Sequence, residues 1–128
     1  MTHGRWIEAV RANSHVCYGA APPGVVREGR NMFASIRKYR VRRGSAEQLA
    51  LRVQGSFVPL IRQMPGFQGY YLLDGGPDVL ITISMFDSVD AAVASNEVSA
   101  NWVRNNVLEF TKGMPEVMVG NALIAEVK

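Results

Sequence analysis

Residues 65–87, PGFQGYYLLDGGPDVLITISMFD, have the pattern of a β-hairpin. The two arms, Phe67–Leu73 and Val79–Phe86, are rich in aromatic and β-branched residues, and the residues between them include two glycines and a proline that allow a sharp reversal. Side chains alternate along the second arm, so that one face carries Val79, Ile81, Ile83 and Met85 and the other carries Leu80, Thr82, Ser84 and Phe86. Because neither face is strongly polar, this strand is expected to be covered on both sides.

A strand and a helix are predicted before the hairpin. The strand runs over Met32–Arg42, and Ser45 begins the helix with Gln48 completing a capping box. One apolar stripe follows at spacings of three and four: Leu49, Val53, Phe57, Leu60, Ile61 and Met64. Pro59 lacks an amide hydrogen and is expected to kink or break the last turns.

A second helix and a last strand are predicted after the hairpin. Ser88 caps the helix, and Gly113 and Pro115 are expected to end it. Its inner stripe contains Val89, Ala92, Val93, Asn96, Ala100, Val103, Val107 and Phe110, with Asn96 as the polar exception. The last strand is predicted over Glu116–Val127.

The resulting order, strand-helix-strand-strand-helix-strand, predicts an α+β fold. Two right-handed βαβ units give a ferredoxin-like βαββαβ protomer, a four-stranded antiparallel sheet with both helices on one face. The other face is left uncovered, and we expect Leu72, Leu80, Phe86 and one face of the last strand to lie on it. Such an apolar surface predicts a homodimer that packs sheet against sheet.

Composition and charge place this fold in residues 32–128, after an irregular or short helical extension over residues 1–31. Up to residue 43 there are nine basic and two acidic residues, a charge of +7, whereas the remainder carries five and nine, or −4. Basic residues thus cluster in the extension and one strand end, which does not favour nucleic-acid binding.

No apolar run spans a bilayer and no signal peptide is evident; a single cysteine, Cys17, favours a cytoplasmic location. Translation starting at Met32 is an alternative to Met1.

Three motifs resemble one known family: Tyr39-x-Val41-x-x-Gly44-Ser45, Pro65-Gly66-Phe67-x-Gly69 and Met85-Phe86-Asp87-Ser88. In combination and order they resemble antibiotic-biosynthesis-monooxygenase-like proteins of the dimeric α+β barrel superfamily, over Met32–Lys128. The resemblance implies a homodimer whose sheets form a barrel and a small cavity between sheet and helices. Some members are cofactor-independent oxygenases of quinol or polyketide-like aromatics, others degrade haem, and many have no assigned activity. Many carry a tryptophan at the position of Phe86.

Residues 32–128 contain no histidine, which limits the catalytic groups and the haem or metal ligands that this domain can supply. The usual general base and the usual haem ligand are missing, and a zinc or non-haem iron site has no histidine ligand. No cofactor and no metal are therefore expected. Asp74, Asp78, Asp87 and Asp90 lie at predicted turns and helix starts, where capping is the simpler interpretation.

Neutral and cationic donors can stabilise a substrate anion in a dry pocket. The catalytic candidates are Arg37, Trp102 and Asn105; the last two lie at i and i+3 and can share a helix face. The candidates for binding a small aromatic ligand are Tyr71, Thr82, Ser84, Phe86 and Asn96, with Tyr70 and Asn101 as further donors. Two functions remain open: a cofactor-independent monooxygenase of phenolic, quinol or polyketide-like aromatics, and a non-catalytic ligand-binding or accessory barrel.

Overall fold

The structure is a computed structural model, and it describes residues 31–127. The predicted extension therefore lies outside the described residues, apart from Asn31. The strands are β1 (Phe33–Val41), β2 (Phe67–Asp74), β3 (Val79–Phe86) and β4 (Thr111–Asn121). The helices are α1 (Ala46–Arg52), α2 (Val58–Arg62) and α3 (Val89–Asn106), with a π-helical segment at Val53–Phe57 and a 3-10 turn at Leu108–Phe110.

The four strands form one antiparallel sheet in the order β2-β3-β1-β4. This order and the alternation of strands and helices confirm the predicted α+β, ferredoxin-like fold. The hairpin of β2 and β3 forms as predicted, and Gly75 and Gly76 lie in its loop. Within residues 31–127, no helix is long and apolar enough to cross a membrane.

The helices cover the face of the sheet that carries Ser35, Arg37, Thr82 and Ser84. On β1 this inner face carries Phe33, Ser35, Arg37, Tyr39 and Val41, all of which are buried. On β3 it carries Leu80, Thr82, Ser84 and Phe86, also buried.

The prediction that Leu80 and Phe86 lie on the uncovered face is therefore wrong, and Leu72 also packs against the core. The uncovered face is the aliphatic one, with Val79, Ile81, Ile83 and Met85 from β3 and the exposed Tyr71, Leu73 and Met118 from the neighbouring strands. The reason is that serine, threonine and arginine side chains on the inner face find hydrogen-bond partners on α3 and within the sheet. The apolar outer face needs no such partners, but it needs a cover.

The first helical region does not end at Pro59. It changes register instead: the Val58 amide donates to the Val53 carbonyl, five residues back, and α2 continues through Pro59 at its first turn. A wider turn just before Pro59 accommodates a residue that cannot donate and that crowds the preceding turn. The predicted capping box is also wrong, because the Ser45 side chain makes no cap hydrogen bond.

The start of α3 is as predicted, and its end is not. The Ser88 hydroxyl accepts from the Ala91 amide at 3.1 Å, which confirms the cap. The helix ends at Asn106, and Gly113 and Pro115 lie within β4, not at the helix end. There the pairing of β4 with β1 shifts register between Lys38 and Arg40. Proline and a glycine with φ of +70° fit such an irregularity in an edge strand.

Candidate functional site

The centre of the site is the side chain of Arg37, which points from β1 into the space between the sheet and α3. The residue is only 1% exposed, so its charge is almost completely removed from water. Its Nε donates to Thr82 Oγ1 at 3.1 Å, and its Nη2 donates to Ser84 Oγ at 2.6 Å. Both acceptors lie on β3, because Arg37 is paired with Thr82 in the sheet.

The other terminal nitrogen of Arg37 contacts α3. Nη1 donates to Asn96 Oδ1 at 2.8 Å, and longer contacts of 3.4 Å reach Ser35 Oγ and Ser95 Oγ. Ser35 also donates to Asn96 Oδ1, at 2.5 Å. Asn96 is thus the shared acceptor of the cluster, and its amide oxygen faces two donors.

All the acceptors described for Arg37 are uncharged. They are hydroxyl and amide oxygens, and no carboxylate is among them. Neutral acceptors satisfy the geometry of the guanidinium but leave its charge without a counter-ion. A buried cation of this kind favours an anion in the space next to it.

A cavity of about 180 Å³ lies beside this cation. Its polar lining comes from Arg37, Tyr39, Asn96, Arg104 and Thr111, and the rest is mostly apolar, with residues such as Val103, Met114 and Val117. Tyr39 follows Arg37 on the inner face of β1, and its hydroxyl is 2.9 Å from Ser99 Oγ on α3. The cavity therefore has two arginines and no acidic residue in its lining.

A second, smaller cavity of about 30 Å³ also has Tyr39 in its lining. Its wall is largely aromatic and aliphatic. The Phe57 ring lies 5.4 Å from that of Trp102 and 5.5 Å from that of Tyr70. Trp102 Nε1 donates to Ser56 Oγ at 2.9 Å. Ser56 and Phe57 belong to the π-helical segment, so the register change places these side chains against α3.

Tyr70 is a neutral hydroxyl in this setting. Burial raises the pKa of its phenol well above the usual value, and the nearby Arg37 charge only partly opposes that shift. Tyr70 is hydrogen-bonded to Thr82, which also accepts from Arg37. Near neutral pH this phenol can donate or accept a hydrogen bond, but it does not act as a base.

The sequence matches one family over much of this region. Residues 32–99, more than half of the chain, match the antibiotic biosynthesis monooxygenase family. The chain belongs to this family. Its resemblance motifs fall within or beside the elements that build the cluster around Arg37. No curated protein matches the sequence.

Solved structures share the fold at low sequence identity. A protein of unknown function from Nitrosomonas europaea has a TM-score of 0.63 at 18% identity, covering 77% of this chain and 95% of the other. A second structure is a monooxygenase from the gene ActVA-Orf6 of Streptomyces coelicolor in complex with Nanaomycin D. It has a TM-score of 0.61 at 14% identity, and the match covers 80% of this chain and 96% of the other. The haem degrader MhuD of Mycobacterium tuberculosis, with two haems in its active site, has a TM-score of 0.58 at 18% identity, covering 74% and 99%.

In this family member, five of the eight predicted site residues lie at or beside the cluster. Arg37, Thr82, Ser84 and Asn96 are joined by hydrogen bonds, and Trp102 lines the small cavity. Three do not belong to it. Phe86 is fully buried and packs edge-to-face against Phe67.

The other two candidates are exposed. Tyr71 lies on the outer face of the sheet, on the opposite side from Arg37. Asn105 is exposed and lines neither cavity, whereas Trp102 is buried, so the prediction of a shared helix face is wrong. Asn101 is likewise exposed and bonds to Arg104.

Several members of the site were missed from the sequence: Ser35, Tyr39, Ser56, Ser95 and Ser99. Two signals were present. Ser35, Arg37 and Tyr39 alternate on one face of β1, and Ser95 and Ser99 lie four apart on α3 beside Asn96. Serine residues occur in many structural contexts, so the sequence alone does not mark them as site residues. Their role is recognised only from the packing of α3 on β1.

Neither described cavity has an acidic side chain in its lining. Asp74 Oδ1 accepts from the Gly76 amide at 3.1 Å, which is the turn role expected for it. Among residues 31–127, no group of three or more histidine, cysteine, aspartate or glutamate side chains is arranged to hold a metal ion.

Proposed function

We propose that this protein is a cofactor-independent monooxygenase of small phenolic, quinol or polyketide-like aromatic substrates, which bind in the cavity between the sheet and α3. The observation that carries the proposal is the buried Arg37 guanidinium, held by neutral acceptors at the wall of a cavity. A fixed positive charge in a dry site stabilises a phenolate or enolate far better than water-exposed charge does.

The proposed reaction needs a stabilised substrate anion more than it needs a metal. Loss of a proton makes a phenol or anthrone electron-rich enough to reduce dioxygen. In the overall reaction of an anthrone, a ring CH₂ and O₂ give a ring C=O and one H₂O, so that one oxygen atom enters the product and the other leaves as water. Arg37 would stabilise the anion, and the substrate's proton would leave to solvent.

The charge of the larger cavity favours such a ligand. Arg37 and Arg104 both line it, and no aspartate or glutamate does. An aromatic anion would place its oxygen toward Arg37 and its ring against Val103 and Val117. Tyr39 and Asn96 would fix the orientation of the ring oxygens, because both present polar atoms at the same wall.

The comparisons add a chemical precedent to this proposal. The Streptomyces coelicolor monooxygenase has Nanaomycin D as its ligand, and it shares the fold with this chain. Haem chemistry is not part of the proposal, because residues 31–127 contain no histidine to serve as the proximal ligand.

The proposed active form is a homodimer. The outer face of the sheet carries an aliphatic row on β3, together with Tyr71 and Leu73 on β2 and Met118 on β4, which are 56%, 44% and 62% exposed. A second copy presents the same surface, so a two-fold axis through this face would cover both. The sheet-to-sheet contact would complete an α+β barrel.

One observation favours a second function, a non-catalytic ligand-binding or accessory protein. Neither described cavity is lined by a histidine or a carboxylate, so no general base for the proton transfer lies at its wall. A protein with the same cavity could bind an aromatic anion without turning it over.

Oxygen consumption decides between the two. The purified full-length protein is mixed with a panel of quinols and anthrones without added metal or flavin, and oxygen uptake and product are measured. We expect turnover, and Arg104→Gln, which removes one of the two positive charges at the wall of the larger cavity, to reduce it several-fold with little change in stability because Arg104 is exposed. Asn105→Ala is the control and keeps wild-type turnover, because Asn105 lines neither cavity. Saturable binding of a panel member with no uptake of oxygen would favour the accessory role.

A further inference from the structure

The lining of the smaller cavity contains both polar and apolar side chains. Six polar side chains reach its lining: Tyr39, Tyr70, Thr82, Ser99, Trp102 and Thr111. The remaining lining is aliphatic or aromatic, from residues such as Val53, Phe57, Leu72 and Leu80.

Each of these polar side chains already has a partner. The Tyr39 and Ser99 hydroxyls are 2.9 Å apart, and Tyr70 is hydrogen-bonded to Thr82. Trp102 Nε1 donates to Ser56, and Thr111 Oγ1 donates to the Leu108 carbonyl at 3.0 Å. A buried water usually makes about three hydrogen bonds to groups that would otherwise be unsatisfied. This cavity offers few such groups, so water gains little by entering it.

Its size fits a diatomic molecule. A volume of about 30 Å³ exceeds the roughly 10–15 Å³ that one water needs, and apolar cavities that stay dry take up small apolar guests such as xenon. An aromatic substrate is far too large for this space.

Its position links it to the larger cavity. Tyr39, Val103 and Thr111 line both, so the two spaces adjoin at these three side chains. We propose that the small cavity binds dioxygen and delivers it past Tyr39 to a substrate anion held at Arg37. This role rests on the proposed monooxygenase function, whereas the binding of dioxygen in the cavity does not.

Dioxygen binding can be tested without turnover. The protein is labelled at its methyl groups, and paramagnetic relaxation by dissolved oxygen is measured by NMR in the absence of any organic substrate. We expect the methyls of Leu49, Leu80 and Val107, which line the cavity, to relax several-fold faster than those of Ile61 and Val93. The last two are the matched controls, because they are also buried, at 0% and 2% exposed against 1% to 5% for the lining residues, and line neither cavity. Equal enhancement at all five residues would overturn the proposal.

A filling variant tests the role in catalysis. Val53→Ile adds one methylene to the wall, and Val98→Ile is the control at a partly buried α3 position that lines neither cavity. We expect Val53→Ile to at least halve the relaxation at Leu72 and Leu80. With a panel substrate that turns over, it should raise KM for oxygen several-fold and leave KM for the organic substrate within twofold.

The outcomes separate this proposal from the preceding one. If the methyl groups that line the cavity show enhanced relaxation but no panel member turns over, dioxygen binding in the small cavity is supported and the monooxygenase function is not. Turnover with no enhancement at the lining would retain the monooxygenase and overturn the dioxygen cavity. Turnover with enhancement, but with KM for oxygen unchanged in Val53→Ile, would overturn the delivery of dioxygen from this cavity.

Discussion

Arg37 and Asn96 are joined inside the protein by a hydrogen bond of 2.8 Å from Nη1 to Oδ1, although they lie 59 positions apart in the chain. The bond connects β1, at the centre of the sheet, to the middle of α3. Asn96 therefore both holds the helix on the sheet and supplies a neutral acceptor that Ser35 shares with a buried cation.

Replacement of Asn96 by alanine is expected to destabilise the fold. Arg37 Nη1 and Ser35 Oγ both lose their shared acceptor, and the guanidinium is left less well satisfied in the interior. The expected loss in the free energy of unfolding is about 2–4 kcal/mol. Chemical denaturation measures it, with the exposed Asn105→Ala as a control expected within about 0.5 kcal/mol of wild type. A loss equal to that of the control would mean that the bond does not stabilise the helix–sheet contact.

Asn96→Asp tests the charge of the site while keeping its shape. The new carboxylate would face Arg37 at hydrogen-bond distance and supply the counter-ion that the neutral cluster lacks. We expect the variant to fold, to bind an anionic aromatic at least tenfold more weakly, and to lose turnover by a similar factor. Fluorescence titration with a phenolate-forming ligand checks the binding. Unchanged affinity would show that Arg37 does not attract the ligand by its charge.

The hairpin and the order of elements could be predicted because their signals are local. Alternation over Val79–Phe86, the glycines of the loop and the Ser88 cap each depend on neighbouring residues alone. The choice of the outer face could not be predicted in this way, because neither face of β3 is strongly polar. That choice depends on Arg37 finding acceptors on both β3 and α3, which are contacts between residues 45 to 59 positions apart.

The site was predictable only where one residue's chemistry stood out. Arg37, Asn96 and Trp102 are unusual side chains in otherwise apolar patterns, and all three are buried at the site. Asn105 differs from Trp102 by three positions, and the rotation of α3 that buries Ser95, Ser99 and Trp102 turns Asn105 to the surface. Helix rotation is set by packing on the sheet, which spacing alone does not fix.

Tyr70 makes the free energy of unfolding depend on pH in the alkaline range. Burial raises the pKa of its phenol in the folded state, so the unfolded chain releases this proton first, near pH 10. Above that pH the unfolded state binds fewer protons than the folded state, and the free energy of unfolding falls as pH rises. The contribution of Tyr70 is fully present below pH 10 and is lost above it, with a slope of up to about 1.4 kcal/mol per pH unit.

Denaturation of wild type and Tyr70→Phe from pH 7 to 11, at one protein concentration, measures this slope. We expect a constant difference between the two proteins up to about pH 9.5 and a shrinking advantage of wild type above it. Parallel curves over the whole range would show that Tyr70 ionises equally easily in the folded and unfolded chains.

Gly66 explains why one resemblance motif contains glycine. Its φ is +81°, and a Cβ at this position would overlap the Asp87 carboxylate, whose own amide donates to the Gly66 carbonyl at 2.9 Å. Gly66→Ala is expected to lower the thermal midpoint, because both the backbone and the neighbouring side chain must shift.

Gly55→Ala is the matched control for that change. Gly55 lies in the π-helical segment, and a Cβ at this position would have open space around it. Its replacement by alanine is expected to be neutral or to stabilise by about 0.5–1 kcal/mol. Calorimetry of the two variants compares them directly. A midpoint for Gly66→Ala at or above that of Gly55→Ala would contradict the strain assigned to Gly66.

The outer face of the sheet predicts how the dimer can be broken. Ile83 lies on this face between Ile36 and Tyr71 of the adjacent strands, at the centre of the apolar surface. A lysine there would be buried opposite its own copy across a two-fold axis, and like charges in an apolar contact are costly. Light scattering at micromolar concentration should give twice 14.1 kDa for wild type and 14.1 kDa for Ile83→Lys.

Leu51→Lys is the control for the added charge, because Leu51 is 72% exposed on α1, away from the outer face. It should remain dimeric, and circular dichroism should show that both variants keep the wild-type secondary structure. A folded wild-type monomer at micromolar concentration would leave the aliphatic row on β3 facing water, and the paired barrel would have to be abandoned. A folded dimer of Ile83→Lys would instead move the interface to another surface.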